Sequence, residues 1–212
     1  MSAEGAPVIR NRRPLASRST RWAQSLAGML LRAGVSPDAI SLASTAFAAL
    51  GAWLLATRPY GVALLAAAAC IQVRLLCNLL DGMVAVEGGR ASAVGALYNE
   101  VPDRIADSLL IVVLGYAIEC AWLGWLGALA AALTAYIRVL GGALGLPQDF
   151  RGPMAKPQRM AVLTGACLLA AGESALFGSH WALAAAAWII ALGALLTCAT
   201  RLRAIAGALR AG

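Results

Sequence analysis

The sequence predicts an all-α protein that crosses a membrane several times. Of its 212 residues, 61% are hydrophobic and 13% are charged, whereas soluble domains are about 45–50% apolar and about 25% charged. The mean hydropathy of +0.77 agrees with this. The apolar segments run without alternating polar residues, which disfavours the strands of a β-barrel. The composition excludes a soluble globular protein, and at about 20 residues per crossing the chain accommodates six transmembrane helices.

The N-terminal region is predicted to precede the membrane domain. Residues 1–14 are polar and basic, which is typical of a flexible tail. Within residues 15–33, Trp22, Leu26 and Leu30 recur at helical spacing beside a face of Arg and Ser side chains. This pattern predicts an amphipathic juxtamembrane helix on anionic headgroups. A basic flank of the first transmembrane span is the alternative interpretation.

Six spans are predicted within residues 36–210, which we treat as one membrane domain. They cover about residues 39–57, 60–86, 92–118, 120–139, 158–176 and 180–200. An even number of spans places both termini on one side of the membrane. Arg and Lys residues concentrate on that side, so the positive-inside rule predicts cytoplasmic termini. The expected location is the inner, cytoplasmic membrane of the cell.

The net charge of +7 raises the question of a nucleic-acid partner. A basic nucleic-acid module needs an aromatic or polar binding face, which this sequence lacks. The membrane topology accounts for the positive charge, so no nucleic-acid partner is expected. The five cysteines are scattered singly through apolar segments without zinc-site spacing, and we interpret them as small core residues.

Polar residues recur at helical spacing across the second and third predicted spans. Arg74, Asn78 and Asp81 share one face of the second span. The start of the third span repeats every four residues, at Gly95, Asn99, Asp103 and Asp107. Two antiparallel helices would therefore direct oxygen-bearing side chains at each other.

Ionisable residues inside a membrane span are costly unless they are paired, hydrated or bound to a cation. Carboxylate and amide oxygens suit a hard divalent cation such as Mg²⁺ or Mn²⁺. An interhelical clamp, for instance Arg74 with Asp81 or with Asp107, explains the same residues without a ligand. The spacing alone leaves both interpretations open.

Residues 36–160 resemble the CDP-alcohol phosphotransferase family, in particular a divergent bacterial branch. The family pattern is D-x2-D-G-x2-A-R-x8/9-G-x3-D-x3-D. Its positions are taken here by Asn78, Asp81, Gly82, Ala85, Val86, Gly95, Asn99 and Asp103. Further similarity lies in Ser36-Pro37-Asp38 with Ser41, in Tyr136-x-Arg138 and in Lys156-Pro157-Gln158-Arg159. Two family aspartates are Asn in this chain, and the family Arg is Val86, so the number of bound metal ions is in question.

The resemblance implies a phosphatidyltransferase that depends on one or two Mg²⁺ or Mn²⁺ ions. The reaction moves a phosphatidyl group from CDP-diacylglycerol to an alcohol and releases CMP. By matching positions, the metal ligands are Asn78, Asp81, Asn99 and Asp103, and Asp103 is also the candidate catalytic base. The nucleotide-binding residues implied in the same way are Pro37, Asp38, Ser41, Gly82, Ala85 and Gly95.

Other charged residues are candidates for supporting roles. Compensation for the missing family charges is expected from Arg74, Arg90, Glu100 or Asp107. A cytoplasmic basic pocket for an acceptor phosphate is expected from Arg104, Arg138, Arg151, Lys156 and Arg159. This pocket favours a phosphorylated polyol such as glycerol 3-phosphate or inositol phosphate, with an unphosphorylated alcohol such as serine left open.

The expected partners are CDP-diacylglycerol, the small acceptor and membrane lipids. Family analogy implies a homodimer. Small-residue stretches at 124–132 and 182–188 permit a dimer interface but serve packing inside the protomer equally well. Two other functions remain alternatives: a non-catalytic CDP-lipid binder, and an intramembrane cation transporter that uses the same polar residues.

Overall fold

The computed structural model describes residues 20–89 and 94–211. These residues form seven α-helices and contain no strand, so the all-α prediction is confirmed. The helices are α1 (Arg21–Arg32), α2 (Pro37–Thr57), α3 (Gly61–Glu87), α4 (Gly95–Ala117), α5 (Ala121–Ala143), α6 (Lys156–Leu176) and α7 (Trp181–Ala211). The tail predicted at residues 1–14 lies outside the described residues, as does Arg90.

Five of these helices, α2, α3, α5, α6 and α7, are long and apolar enough to cross a membrane by length and composition. The chain is therefore a multi-helix membrane protein. Helix α4 has the same length as α5, 23 residues. Its first half is charged, however, and α4 does not meet the same composition criterion. Those charges belong to the candidate site.

The start of α2 is determined by local sequence. Ser36 is the N-cap, and its hydroxyl accepts a hydrogen bond from the Ala39 amide at 3.2 Å. Pro37 follows at the first helical position, where its missing N–H costs nothing. The last helix ends much later than the sequence predicts. Helix α7 continues to Ala211 rather than ending near Thr200. Arg201, which follows the predicted end, is buried by tertiary contacts and not exposed beyond the span.

The long helices pack as two connected groups. Helix α2 packs on both α3 and α4, α5 and α6 both pack on α7, and α4–α5 and α3–α6 contacts join the groups. One large apolar cluster fills the space between them. It includes Leu64, Leu110, Leu114, Leu123 and Ile190, all fully buried. This cluster is the main apolar core of the bundle.

Helices α4 and α5 approach each other at a pair of glycines. A Cβ built on Gly115 would lie 2.6 Å from the Gly124 backbone, and one on Gly124 would lie 2.6 Å from the Val112 carbonyl oxygen. Gly127 in turn faces Ile111 and Ala191. The small-residue stretch at 124–132 therefore contributes packing inside the protomer, as small residues commonly do between membrane helices.

Helix α1 packs against α3 through Ala23 and Ala27, which are fully buried. Trp22 and Met29 are about half exposed, so α1 has an apolar contact face and an exposed one. At its other end, the side chain of Leu31 lies against Gly88, where a Cβ would approach it to 2.3 Å. Helix α1 thus covers the end of α3 that carries the polar motif.

Candidate functional site

The site is organised around the carboxylate of Asp103 on α4. Its Oδ1 accepts a hydrogen bond of 2.8 Å from the amide Nδ2 of Asn78 and one of 3.4 Å from Nη2 of Arg74, both on α3. Its Oδ2 is bound by the ammonium of Lys156, the first residue of α6. The sequence prediction that polar groups of the two motif helices converge is therefore correct in geometry.

A second carboxylate, that of Asp81, lies on α3 about one turn after Asn78. Its Oδ2 accepts a hydrogen bond of 2.6 Å from the hydroxyl of Ser41 on α2. The neighbouring Ser44 donates at 2.7 Å to Oδ1 of Asn78. Helix α2 thus orients both α3 side chains. Asp81 Oδ1 is buried and has no hydrogen-bond partner among the described residues.

Deeper in the protein, Asp107 is paired with Arg159 of α6. Its Oδ2 accepts hydrogen bonds from Nη2 at 2.5 Å and from Nε at 3.1 Å, and Nη1 donates to the Met154 carbonyl at 2.8 Å. Arg74 lies on the other side of Asp107, with Nη2 at 3.7 Å from Oδ1. Arg74, Asp107 and Arg159 are all almost completely buried. The clamp interpretation of Arg74 is thus correct in kind, although its partners are Asp103 and Asp107 and not Asp81.

A more exposed ionic group lies toward the opening of the site. The carboxylate of Glu100 accepts hydrogen bonds from Arg104 at 2.6 Å and from Arg138 at 2.9 Å. Arg138 also donates to the side chain of Gln148 at 3.0 Å, and its guanidinium lies 5.5 Å from the ring centroid of Phe150. Two arginines predicted to bind a phosphate are therefore held together here by one carboxylate.

A cavity of about 500 Å³ lies between α1, α3, α4, α5, α6 and α7, and Arg74, Asp81 and Asp107 are not among the residues that line it. Its polar walls are formed by Asn78, Asn99, Glu100, Asp103, Arg104, Thr134, Arg138, Lys156, Arg159 and Arg201. Its apolar wall includes Leu75, Leu76 and Leu79 of α3. A pocket with both apolar walls and convergent charged groups is suited to an amphiphilic ligand.

Arg201 is a site residue that the sequence analysis missed. Its Nη1 donates to the Thr134 carbonyl at 2.5 Å and its Nε to the Arg151 carbonyl at 2.9 Å. The available signal was an Arg inside a continuous apolar helix, which inside a membrane protein indicates a function or a buried partner. The sixth predicted span, about residues 180–200, ends directly before Arg201.

The remaining predicted residues are placed unevenly. Asn99 is exposed at the cavity wall, one helical turn before Asp103. Arg151 is exposed, forms an ion pair with Asp149, and lines a separate cavity of about 210 Å³. Arg138 lines both cavities, so the structure brings Arg151 together with Arg138 but not with Arg104, Lys156 or Arg159.

The predicted nucleotide residues do not line the larger cavity as described. Ser41 is buried against Asp81, and Pro37 and Asp38 form the first turn of α2. Gly82, Ala85 and Gly95 are partly buried, and Val86 is exposed. Their role in nucleotide binding stays a prediction.

The polar groups of the motif offer oxygen donors to a divalent cation. No cluster of three or more His, Cys, Asp or Glu side chains suited to a metal occurs within residues 20–89 and 94–211. The available oxygens are the carboxylates of Asp81 and Asp103 with the amides of Asn78 and Asn99. The unpartnered Asp81 Oδ1 is the feature that fits a cation, because a buried carboxylate oxygen without a partner is otherwise costly.

Fold and site together define an integral membrane protein with an oxygen-rich polar cavity at one end of an apolar helix bundle. No family model matches the chain. It is 30% identical over 196 residues to a phosphatidylinositol phosphate synthase of Mycolicibacterium smegmatis, with 87% of this chain and 84% of the relative covered. It is 34% identical over 146 residues to an archaetidylinositol phosphate synthase of Aeropyrum pernix, covering 66% and 70%.

Solved structures give the same result. The fold matches Mycobacterium tuberculosis phosphatidylinositol phosphate synthase with CDP-DAG bound, with a TM-score of 0.73 at 26% identity, covering 88% of this chain and 94% of that one. The same enzyme in complex with manganese and citrate matches with a TM-score of 0.72, covering 86% and 88%. The chain belongs to the CDP-alcohol phosphotransferase family. This confirms the predicted family and the predicted enzyme class, a phosphatidyltransferase.

Proposed function

We propose that this chain transfers a phosphatidyl group from CDP-diacylglycerol to inositol phosphate and releases CMP. The observation that carries the proposal is the approach of Asn78 and Asp103, from two helices, to 2.8 Å at the wall of a cavity of about 500 Å³. The choice of donor and acceptor is based on similar proteins, phosphatidylinositol phosphate synthases that are 28–30% identical to this chain over most of their length. The binding of CDP-DAG by a relative of the same fold supports the donor.

In this mechanism the acceptor hydroxyl attacks the phosphorus atom that carries diacylglycerol, and the bond from that phosphorus to the oxygen of CMP breaks. Asp103 is the proposed base that accepts the hydroxyl proton. Its carboxylate faces the cavity and is oriented by three donors, namely Asn78, Arg74 and Lys156. Fixed orientation of a base near the reacting hydroxyl is a main contribution of an enzyme to phosphoryl transfer.

A divalent cation is part of the proposal, and the manganese complex of a relative supports it. The residues that would hold it are those of the motif, Asn78, Asp81, Asn99 and Asp103, of which Asp81 offers the open oxygen. When bound, the cation neutralises the diphosphate and stabilises the charge on the departing CMP. The chain's own cations Arg104, Arg138, Lys156 and Arg201 line the cavity and would orient an acceptor phosphate.

We further propose six membrane crossings, made by α4 in addition to the five apolar helices α2, α3, α5, α6 and α7. We also propose a location in the cytoplasmic membrane, with both termini in the cytoplasm. Support comes from the length of α4, from its packing between α2 and α5, and from the positive-inside distribution of Arg and Lys. Helix α1 would then lie at the cytoplasmic interface, with its exposed face toward headgroups.

A homodimer is also proposed by family analogy. Helix α5 presents Trp125, Leu129, Leu133 and Tyr136 as an exposed row at helical spacing. That row would meet lipid in a monomer and a second copy in a dimer. The molar mass of the protein in detergent, measured by light scattering, separates the two states.

The experiment that tests the transferase proposal uses purified protein, labelled CDP-diacylglycerol and Mn²⁺. Inositol phosphate, glycerol 3-phosphate and serine are compared as acceptors. CMP release that depends on inositol phosphate is expected. Retention of CDP-diacylglycerol without CMP release would instead indicate the binder, and Mn²⁺ flux into protein-containing vesicles without CMP release would indicate the transporter.

A further inference from the structure

The α5–α6 loop, residues 144–155, leads directly into two cations that α6 contributes to the site. Lys156 is the first residue of α6, and its ammonium binds the carboxylate of Asp103. Arg159, about one turn later, binds the carboxylate of Asp107. Both cations line the larger cavity. Their position therefore depends on how the end of this loop is held.

Helix α7 holds the end of the loop through Thr197. The Thr197 hydroxyl accepts a hydrogen bond of 3.0 Å from the Met154 amide and donates one of 2.8 Å to the Gly193 carbonyl of its own helix. The Met154 carbonyl in turn accepts a hydrogen bond of 2.8 Å from Nη1 of Arg159. Both backbone groups of Met154 are thus bound, one to α7 and one to Arg159 of α6.

The packing around Thr197 depends on two glycines. Gly152 has a φ of +117°, which residues other than glycine rarely adopt, and a Cβ built on it would lie 2.5 Å from Cγ2 of Thr197. A Cβ built on Gly193 would lie 2.9 Å from the Met154 side chain. Thr197 is fully buried and is not among the residues that line the larger cavity. Its connection to the site runs through the loop.

The same loop also contacts a cation of α5. The side chain of Gln148 accepts a hydrogen bond of 3.0 Å from Arg138, and the ring centroid of Phe150 lies 5.5 Å from the Arg138 guanidinium. Arg201 of α7 attaches the loop a second time, because its Nε donates to the Arg151 carbonyl at 2.9 Å. The loop therefore connects α7 to cations of both α5 and α6 that line the larger cavity.

We propose that Thr197 is a positioning residue for the transfer reaction, which fixes the end of the α5–α6 loop and through it the cations that orient the acceptor phosphate. The inference rests on the proposed function, since it concerns the binding of the acceptor at the same site. Replacing the hydroxyl by a methyl group leaves the buried Met154 N–H without its acceptor, which is costly. The methyl group that packs on Gly152 is retained. The loop end is then held less firmly, and Lys156 and Arg159 with it.

The test compares Thr197→Val with two other variants of α7. Thr197→Ser keeps the hydroxyl and should behave like the wild type. Thr200→Val is the matched control, because it makes the same chemical change three residues later, where the hydroxyl donates to the Leu196 carbonyl of its own helix at 2.7 Å.

The expected kinetic result is a change in one KM and not in the other. In Thr197→Val the KM for inositol phosphate should rise about tenfold, which corresponds to about 1.4 kcal/mol and lies within the cost of an unpaired buried donor. The KM for CDP-diacylglycerol should stay close to the wild-type value. A role in stability alone would lower the Tm but would not change the ratio of the two KM values at a temperature well below the Tm. An acceptor KM that rises no more than the donor KM would overturn the proposal.

A second measurement follows the loop itself. Hydrogen–deuterium exchange of the full chain in detergent, read by mass spectrometry, should be faster at residues 150–160 in Thr197→Val than in the wild type, Thr197→Ser or Thr200→Val. Unchanged exchange of these residues in Thr197→Val would overturn the proposal, as would equally fast exchange in Thr200→Val.

Failure of this inference is distinguishable from failure of the proposed function, because CMP release by the wild type is measured in the same preparations. CMP release that depends on inositol phosphate, with the same acceptor KM in the wild type and Thr197→Val, would overturn the role of Thr197 and leave the transferase standing. No CMP release from any acceptor would refute the transferase, and calorimetric binding of inositol phosphate then replaces the KM. Weaker binding to Thr197→Val than to Thr200→Val would still support the role of Thr197, and equal binding would overturn it.

Discussion

The buried ion pair of Asp107 and Arg159 makes a sharp prediction about stability. Arg159 donates two hydrogen bonds to the Asp107 carboxylate, at 2.5 and 3.1 Å, and both side chains are at most 3% exposed. Removing one partner of such a pair costs about 3–5 kcal/mol, and without Arg159 the Asp107 carboxylate would keep only its longer contact with Arg74, at 3.7 Å. We therefore expect Arg159→Met to lower the free energy of unfolding by about that amount.

The assay is thermal unfolding of the purified protein in a mild detergent, followed by circular dichroism. For a chain of this size, about 1 kcal/mol shifts the Tm by roughly 2–4 °C, so the expected decrease is roughly 6–20 °C. Arg159→Lys should recover part of the loss, because an ammonium restores the charge but not the two-pronged geometry of a guanidinium. The double variant with Asp107→Leu and Arg159→Met should also be more stable than Arg159→Met alone. In the double variant the Asp107 carboxylate is removed together with its partner, so it is not left buried without Arg159.

The matched control is Arg151→Met. Arg151 is paired with Asp149 at 2.8 Å, but its side chain is 63% exposed. Exposed ion pairs contribute about 0–1 kcal/mol, so the control should move the Tm by no more than a few degrees. Equal shifts for Arg151→Met and Arg159→Met would show that burial of the Asp107 pair does not determine its contribution, and the reasoning would fail.

Three further substitutions test the site and the packing. Asp103→Asn should abolish CMP release while the circular dichroism spectrum is retained; unchanged turnover would remove Asp103 from the role of base. Glu100→Gln should lower the KM for inositol phosphate about twofold to fivefold without moving the KM for CDP-diacylglycerol. The substitution releases Arg104 and Arg138 from exposed ion pairs worth roughly 0.5–1 kcal/mol. A raised acceptor KM would show that Glu100 helps to bind the acceptor. Gly124→Ala should lower the free energy of unfolding by about 1–3 kcal/mol, since its Cβ would lie 2.6 Å from the Val112 carbonyl oxygen, whereas Gly165→Ala, with open space around it, is the control that should have little effect.

The fold was predictable from the sequence to the extent that it depends on local pattern. Long apolar segments, interrupted by Gly, Pro and charged residues, are sufficient to locate helices α2–α6 to within a few residues. The end of α7 was not predictable in this way. Arg201 looks like the end of a span in the sequence, but the Thr134 and Arg151 carbonyls satisfy its guanidinium inside the protein. Such partners lie 50 or more residues away along the chain, where periodicity carries no information.

The same distinction applies to the site. The four-residue spacing on α4 and the shared face on α3 were sufficient to predict that Asn78 and Asp103 meet. The partners that come from other helices were not apparent. Ser44 of α2 orients Asn78, and Lys156 of α6 binds Asp103, yet Lys156 was predicted only as a phosphate ligand. Which cation pairs with which carboxylate depends on helix packing, and spacing within one helix does not determine it.

The distribution of polar groups bears on the alternative functions. The ionic groups of α3, α4 and α6 described above extend from one end of the bundle to about the middle of α3 and α4, where Arg74 and Asp107 lie. The other end is filled by the apolar cluster around Leu64, Leu110 and Leu123. A path for a cation across the membrane would require polar or hydrated groups to continue through that cluster. An enzyme acting on a lipid needs only one polar end, open to water-soluble acceptors, beside apolar walls for acyl chains. The cavity has this combination, so the arrangement favours catalysis at one membrane surface over transport.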